Sequence, residues 1–193
     1  MLIINIILIL STTSVTGVHP ITDFEILEQA KNNCKNIQPE KVDIELLAKL
    51  LNVEKYYGIP NSLRGLLLAA ACQESGYNPR AKGDHRFSKN KKPKAIGILQ
   101  LWPWWASKKW GYGVDRNDPM ASAHVYLQHI SSFLKRVYKQ CHINKKDKRR
   151  AWVAAWVTGI RAYKKGGRCR EKPNHLRTVK KWHKAIHLAR KNM

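Results

Sequence analysis

Acidic side chains are scarce in this chain: 13 Asp and Glu stand against 36 Lys and Arg, a formal net charge of +23 over 193 residues. A near-neutral surface is thereby excluded, and polyanionic surroundings are favoured: nucleic acid, anionic lipid or an anionic cell-wall polymer. The imbalance is local. Seven of the acidic residues but only four of the basic ones precede residue 55, so the positive field belongs to residues 55–193. Strand-like alternation is also rare, which excludes a β-sandwich or barrel and leaves a mainly α domain. Apolar runs are short: Met1 to Leu10 is well below the ~20 residues that a membrane-spanning helix requires. With 11 glycines and 8 prolines and no internal repeat, the chain is neither fibrous nor low-complexity. No zinc-finger or RNA-recognition signature is present, so specific nucleic-acid readout is not expected, although phosphate contacts at low salt are.

The apolar start is followed by small and polar residues, Ser11 to Gly17. This pattern predicts a signal peptide over 1–17, with Val15 and Gly17 at the small positions before cleavage, and a periplasmic or extracellular mature chain without a membrane span. A buried N-terminal strand or an uncleaved anchor is the alternative. Four cysteines suit an oxidising compartment: Cys34, Cys72, Cys141 and Cys169. Three pairings are possible. Cys141–Cys169 is favoured because it would bracket the segment holding Trp152 and Trp156, which leaves Cys34–Cys72; four free thiols are the alternative. His183 and His187 are four apart, with His175 and Cys169 nearby, but Lys184 and Ala185 follow His183 where a zinc protease has a glutamate. No metal and no cofactor are expected.

Helical periodicity dominates. Helices are predicted from Ile21 to Asn33, from Pro39 to Val53, and from Asn61 or Ser62, as cap, to Gly76. Others are predicted from Asp118 to about Tyr138, from Ala151 to Tyr163, and from Leu176 to Lys191. Residues 80–95 read as a lysine-rich loop. The most informative stretch is Leu63 to Pro79. Leu63 to Cys72 is apolar except for Arg64, and Gln73-Glu74-Ser75-Gly76 closes it. Glu74 thus falls at the negative end of a buried helix, beside hydrocarbon. Both effects disfavour its ionised form, and a carboxyl that stays protonated near neutrality can act as a general acid.

Three ordered motifs now carry a resemblance. Tyr57-Gly58-Ile59-Pro60 through Cys72-Gln73-Glu74-Ser75-Gly76-Tyr77-Asn78-Pro79, then Gly97-Ile98-Leu99-Gln100, then Asp118-Pro119 with Ala123-His124-Val125-Tyr126-Leu127 resemble the soluble lytic transglycosylases (SLT). A fourth motif, usually A-Y-N-A-G, departs here as Ala155-Trp156-Val157-Thr158-Gly159. The resemblance implies a lysozyme-like fold, related to goose-type lysozyme, over residues 44–165. Residues 18–43 would then be an N-terminal helical extension, and 166–193 a basic C-terminal helix.

The resemblance further implies a monomeric peptidoglycan lytic transglycosylase that cleaves the β-1,4 bond between N-acetylmuramic acid and N-acetylglucosamine and leaves 1,6-anhydro ends. It makes Glu74 the catalytic residue, with Ser75, Gly97, Gln100, Tyr126 and Trp156 as substrate-binding positions. Gly97 would let backbone approach the sugar. Trp102, Trp104, Trp105 and Trp110 offer aromatic faces, but their irregular spacing favours packing, and at most one or two are expected to reach sugar. An inverting hydrolase needs a second carboxylate, for which Asp84 and Asp115 are the candidates. Asp84 reads as solvated or ion-paired in its lysine-rich loop, and Asp115 as a turn residue. A muramidase, or a non-catalytic cationic protein binding wall or other polyanions, remains the alternative.

Overall fold

Thr22 and Glu25 open the first helix with a reciprocal capping box: the Glu25 N–H donates to Thr22 Oγ1 at 3.2 Å and the Thr22 N–H to Glu25 Oε2 at 2.6 Å. Helix α1 then spans Asp23–Asn33. The computed structural model describes residues 22–35, 37–107 and 112–161. The expected signal peptide, the C-terminal helix, Trp110, Cys169 and His175, His183 and His187 lie outside them. Pro39–Lys41 forms a separate 3-10 turn, so proline does not open the second helix as expected. Asp43 does, accepting the Leu46 N–H at 3.0 Å, and α2 runs Ile44–Tyr56.

The buried face of α2 is Leu47, Leu50, Leu51 and Glu54, spaced i, i+3, i+4 and i+7. Glu54 ends this row as a fully buried acid. It accepts the Gly65 N–H at 2.7 Å and the Leu67 N–H at 2.5 Å, the free donors at the start of α3 (Leu66–Ser75). The expectation that Asn61 or Ser62 caps this helix is therefore corrected. Asn61–Leu63 is its own 3-10 turn, and the cap comes from eleven residues upstream. Arg64 stands beside the pair, its Nε 3.7 Å from Glu54 and its Nη2 donating to Asp23 of α1 at 2.8 Å. Burial pushes Glu54 up to about 7, against the pull of the two N–H groups and of Arg64.

From Leu66 to Cys72 every residue of α3 is buried. The helix is thus the central rod of the domain. The Cys34–Cys72 disulfide ties its second half to the end of α1, with Cα atoms 5.8 Å apart. Cys141 is also disulfide-bonded, but its expected partner Cys169 falls outside the described residues. Closing a 38-residue loop removes about 4 kcal/mol of unfolded-chain entropy on the loop-closure estimate.

After α3 a two-stranded antiparallel hairpin, β1 (Lys82–Gly83) with β2 (Ala95–Ile96), rises within the stretch expected to be only loop. A short helix α4 (Pro103–Ala106) follows. The long helix expected to reach Tyr138 is two: α5 (Pro119–Ser132) and α6 (Leu134–Gln140), broken at Phe133. The break has a local cause. Ser131 and Ser132 turn their hydroxyls onto the Gln128 and His129 carbonyls, three residues back, and compete with the helical ladder. Helix α7 (Lys148–Arg161) and α2 both pack on α5. The fold is mainly α and lysozyme-like, with the hairpin beside the C-terminal end of α3. No helix among the described residues is long and apolar enough to cross a membrane.

Glu54→Ala strands two buried N–H groups, and urea unfolding is expected to register a loss of roughly 2–4 kcal/mol. The pH profile carries a second signature. A buried acid whose pKa lies above its ordinary value binds a proton more tightly when folded. Stability of the parent is therefore expected to fall as pH rises from 4.5 to about 7, the window set by the raised Glu54. Glu54→Gln is expected to reduce that fall, leaving the share contributed by Glu74, which is raised over the same window; melting temperatures across the window would detect the difference.

Candidate active site

Gly76 ends α3 in the left-handed region, at φ 60°, where its N–H donates to the Cys72 carbonyl at 2.9 Å. Glu74 is thereby held one residue before the final position of a helix that is buried up to Cys72. Glu74 was expected beside hydrocarbon, and the residue as a whole is exposed at the surface. Protein still crowds it on its other sides. Loss of hydration first, and the negative charge of Asp84 second, push it up to about 7. An accessible carboxyl that remains half-protonated at neutrality can both reach a substrate and give it a proton.

The Gly97–Gln100 loop lies against the end of α3. Ser75 Oγ donates to the Ile98 carbonyl at 2.8 Å, with the Ala71 carbonyl also within reach at 3.1 Å. This bond joins the residue after Glu74 to the loop. Gly97 has φ +83°, and a Cβ there would collide with the Arg116 carbonyl. Its lack of a side chain thus serves packing inside the protein, whatever it does for a sugar. Gln100 is half-buried, donates Nε2 to the Gly97 carbonyl at 2.9 Å, and lies so close to Gly83 that a Cβ there would meet its Oε1. Arg116 Nη1 donates to the carbonyls of Lys94 and Leu101 at 2.8 and 2.9 Å, clamping the hairpin to this loop.

Asp84 follows β1 in the left-handed region, at φ 57°. It was expected to be solvated or ion-paired among lysines. It is half-buried, makes no ion pair among the described residues, and accepts the Trp102 indole N–H at 2.8 Å. Its charge reaches Glu74. Asp115, in contrast, folds onto its own turn, accepting the backbone N–H of Asn117 at 2.9 Å.

Beneath the site the aromatics stack. Tyr126 is buried, stacks on Trp105 with centroids 5.8 Å apart and planes inclined by 26°, and meets Trp156 edge-on at 5.5 Å. Burial, with the nearby charge of Glu74, pushes the Tyr126 hydroxyl well above the usual phenol range. Trp156 is 0% exposed and offers a sugar no surface, so its expected substrate contact is corrected to support of Tyr126. Its indole N–H lies by Tyr126 without forming a well-shaped hydrogen bond. Trp105 is buried, whereas Trp102 and Trp104 are half-exposed.

Glu74, Ser75, Gln100, Asp84 and Tyr126 are thus gathered around the end of one helix. One residue escaped the sequence reading: Glu54, although it carried a usable signal, an acid in register with Leu47, Leu50 and Leu51. Asp84 was weighed as a second carboxylate and set aside as a loop residue, because its place depends on the hairpin and on Trp102, eighteen residues away.

A family model described as "Transglycosylase SLT domain" matches residues 52–184, from within α2 to past the domain end expected at residue 165. No curated protein and no solved structure matches the chain.

Asp84→Asn removes the negative charge that opposes ionisation of Glu74. The Glu74 pKa is expected to fall from about 7 toward the ordinary carboxylate value, read by carboxyl-carbon NMR titration. An unchanged titration would mean that Asp84 does not act on Glu74.

Proposed function

Because the chain belongs to the transglycosylase SLT family, whose substrate is peptidoglycan, we propose that Glu74 cleaves the β-1,4 bond between N-acetylmuramic acid and N-acetylglucosamine. The observation that carries this reading is an accessible carboxyl, raised to about 7, at the end of a buried helix. Protonated Glu74 gives its proton to the glycosidic oxygen, and the bond from that oxygen to C1 of the muramyl sugar breaks. Positive charge develops at C1 and is shared by the sugar's own acetamido oxygen. Glu74, now a carboxylate, takes the proton of the C6 hydroxyl, and O6 closes on C1 as the 1,6-anhydro ring. One carboxyl serves both steps, and water is not consumed. Ser75 steadies the end of α3, Gln100 and Gly97 shape the adjoining loop, and Tyr126 floors the site over Trp156.

Hydrolysis is the second reading, and Asp84 is the specific observation for it. This carboxylate is free of ion pairs among the described residues and shares Glu74's electrostatic surroundings. It could activate water on the far side of the sugar, as an inverting glycosidase requires. In either case the positive field of residues 55–193 would hold the protein on an anionic envelope, and the N-terminal pattern would export it there as a monomer. A non-catalytic cationic binder would need neither a raised Glu74 nor its neighbours.

Glu74→Gln is expected to keep the fold and to lose at least a hundredfold in release of soluble fragments from purified sacculi. Cleavage by that variant at the parent's rate would remove Glu74 from the mechanism. Mass spectrometry of the parent's products is expected to find anhydro-muropeptides; reducing ends would install the hydrolytic reading. Because the acid must be protonated, activity is expected to decline as pH rises through about 7.

A further inference from the structure

The loop between β1 and β2 exposes Phe87, 49% of whose surface faces solvent. Its ring packs on Trp102, with centroids 5.8 Å apart at 45°. Two cations sit on these rings: the Arg86 guanidinium 4.7 Å from the Phe87 centroid, and Lys94 Nζ 5.6 Å from that of Trp102. Neither cation pairs with a carboxylate among the described residues. Trp102 is in turn bonded to Asp84, whose charge reaches Glu74. One hydrogen bond therefore joins the patch to Asp84, the carboxylate whose charge acts on Glu74.

Each part has a chemical use. Flat, partly exposed rings suit the C–H face of a pyranose. Cations held over those rings suit a carboxylate carried by the same sugar. Asp84, fixed at the inner edge, is an acceptor for the hydroxyl donors of a sugar ring, which a phosphate backbone does not offer, so this patch fits a glycan better than a nucleic acid. We infer that Phe87, Trp102, Arg86 and Lys94 form a subsite for a carboxylate-bearing sugar of the glycan strand, and that it distinguishes acidic strands from neutral, chitin-like ones. The inference rests on the reading of the Glu74 site as a glycan-cleaving centre.

The test uses the full chain carrying Glu74→Gln, so that binding is measured without cleavage. Calorimetry compares two soluble probes of equal length: a neutral N-acetylglucosamine oligomer and a peptide-free glycan strand with free lactyl carboxylates. The acidic strand is expected to bind more tightly. Adding Arg86→Gln with Lys94→Gln is expected to weaken the acidic strand about 5- to 20-fold and the neutral one less than twofold. Adding Phe87→Ala is expected to weaken both about fivefold. A charge-matched control, Lys145→Gln with Lys146→Gln in the exposed turn before α7, is expected to leave both probes within twofold. The subsite is overturned if the control costs the acidic strand as much as the Arg86 and Lys94 pair does. It is also overturned if all variants bind as the Glu74→Gln protein does, or if a single-stranded oligonucleotide loses more from the Arg86 and Lys94 changes than the acidic strand. Binding of neither probe by the Glu74→Gln protein would instead strike at the glycan-cleaving reading itself, and the subsite would go with it.

Discussion

A carboxylate buried without solvent governs where the catalytic helix can lie. Glu54 meets the Gly65 and Leu67 N–H groups, and those donors have no other partner inside their own helix. The start of α3 can therefore sit only where the end of α2 presents that acid. Arg64 extends the constraint to Asp23 of α1. At the other end, the Cys34–Cys72 bridge and the Ser75 bond to Ile98 restrain the same rod against α1 and against the Gly97–Gln100 loop. Glu74 is thus placed by contacts at both ends of its helix, none of which it makes itself. The arrangement suits general acid–base chemistry, in which small displacements of the proton donor cost large factors in rate.

The electrostatics of the site follow from its shape. Glu74 is open on one side, as a substrate demands, and crowded on the others, as a raised pKa demands. Asp84 adds a like charge and is kept in place by the Trp102 indole rather than by a lysine of its own loop. A lysine there would neutralise Asp84 and cancel its effect on Glu74. The hairpin therefore does more than flank the cleft: it delivers one negative charge inward while its cations remain on the aromatic rings outside.

How much of this was legible in the chain depends on the range of the interaction. Local rules carried far. The apolar run from Leu66 to Cys72, the stop at Gly76, the Asp118 cap of α5, the helical class and Glu74 at a helix end were all readable, because propensity, capping and periodicity act within a few residues. So was the Cys34–Cys72 pairing, as part of the favoured one of three schemes. The readings that failed involve partners distant in sequence. Asn61 and Ser62 are good local caps but lost to Glu54. Asp84 lay among lysines in the chain yet found Trp102 in space. Trp156 stood where a site residue was expected and was taken into the core beneath Tyr126.

The sequence by itself determined that this chain is a basic, mainly helical member of its class with one acid at the close of an apolar helix. Those properties are sums or short-range patterns, and they survive without knowing which segments meet. Only the tertiary structure decided that Glu74 is exposed yet still raised, that a second carboxylate attends it, and that a buried acid from another helix sets its position. Each depends on desolvation and charge at close range between residues far apart in the chain, and such effects exist only once the chain has folded back on itself.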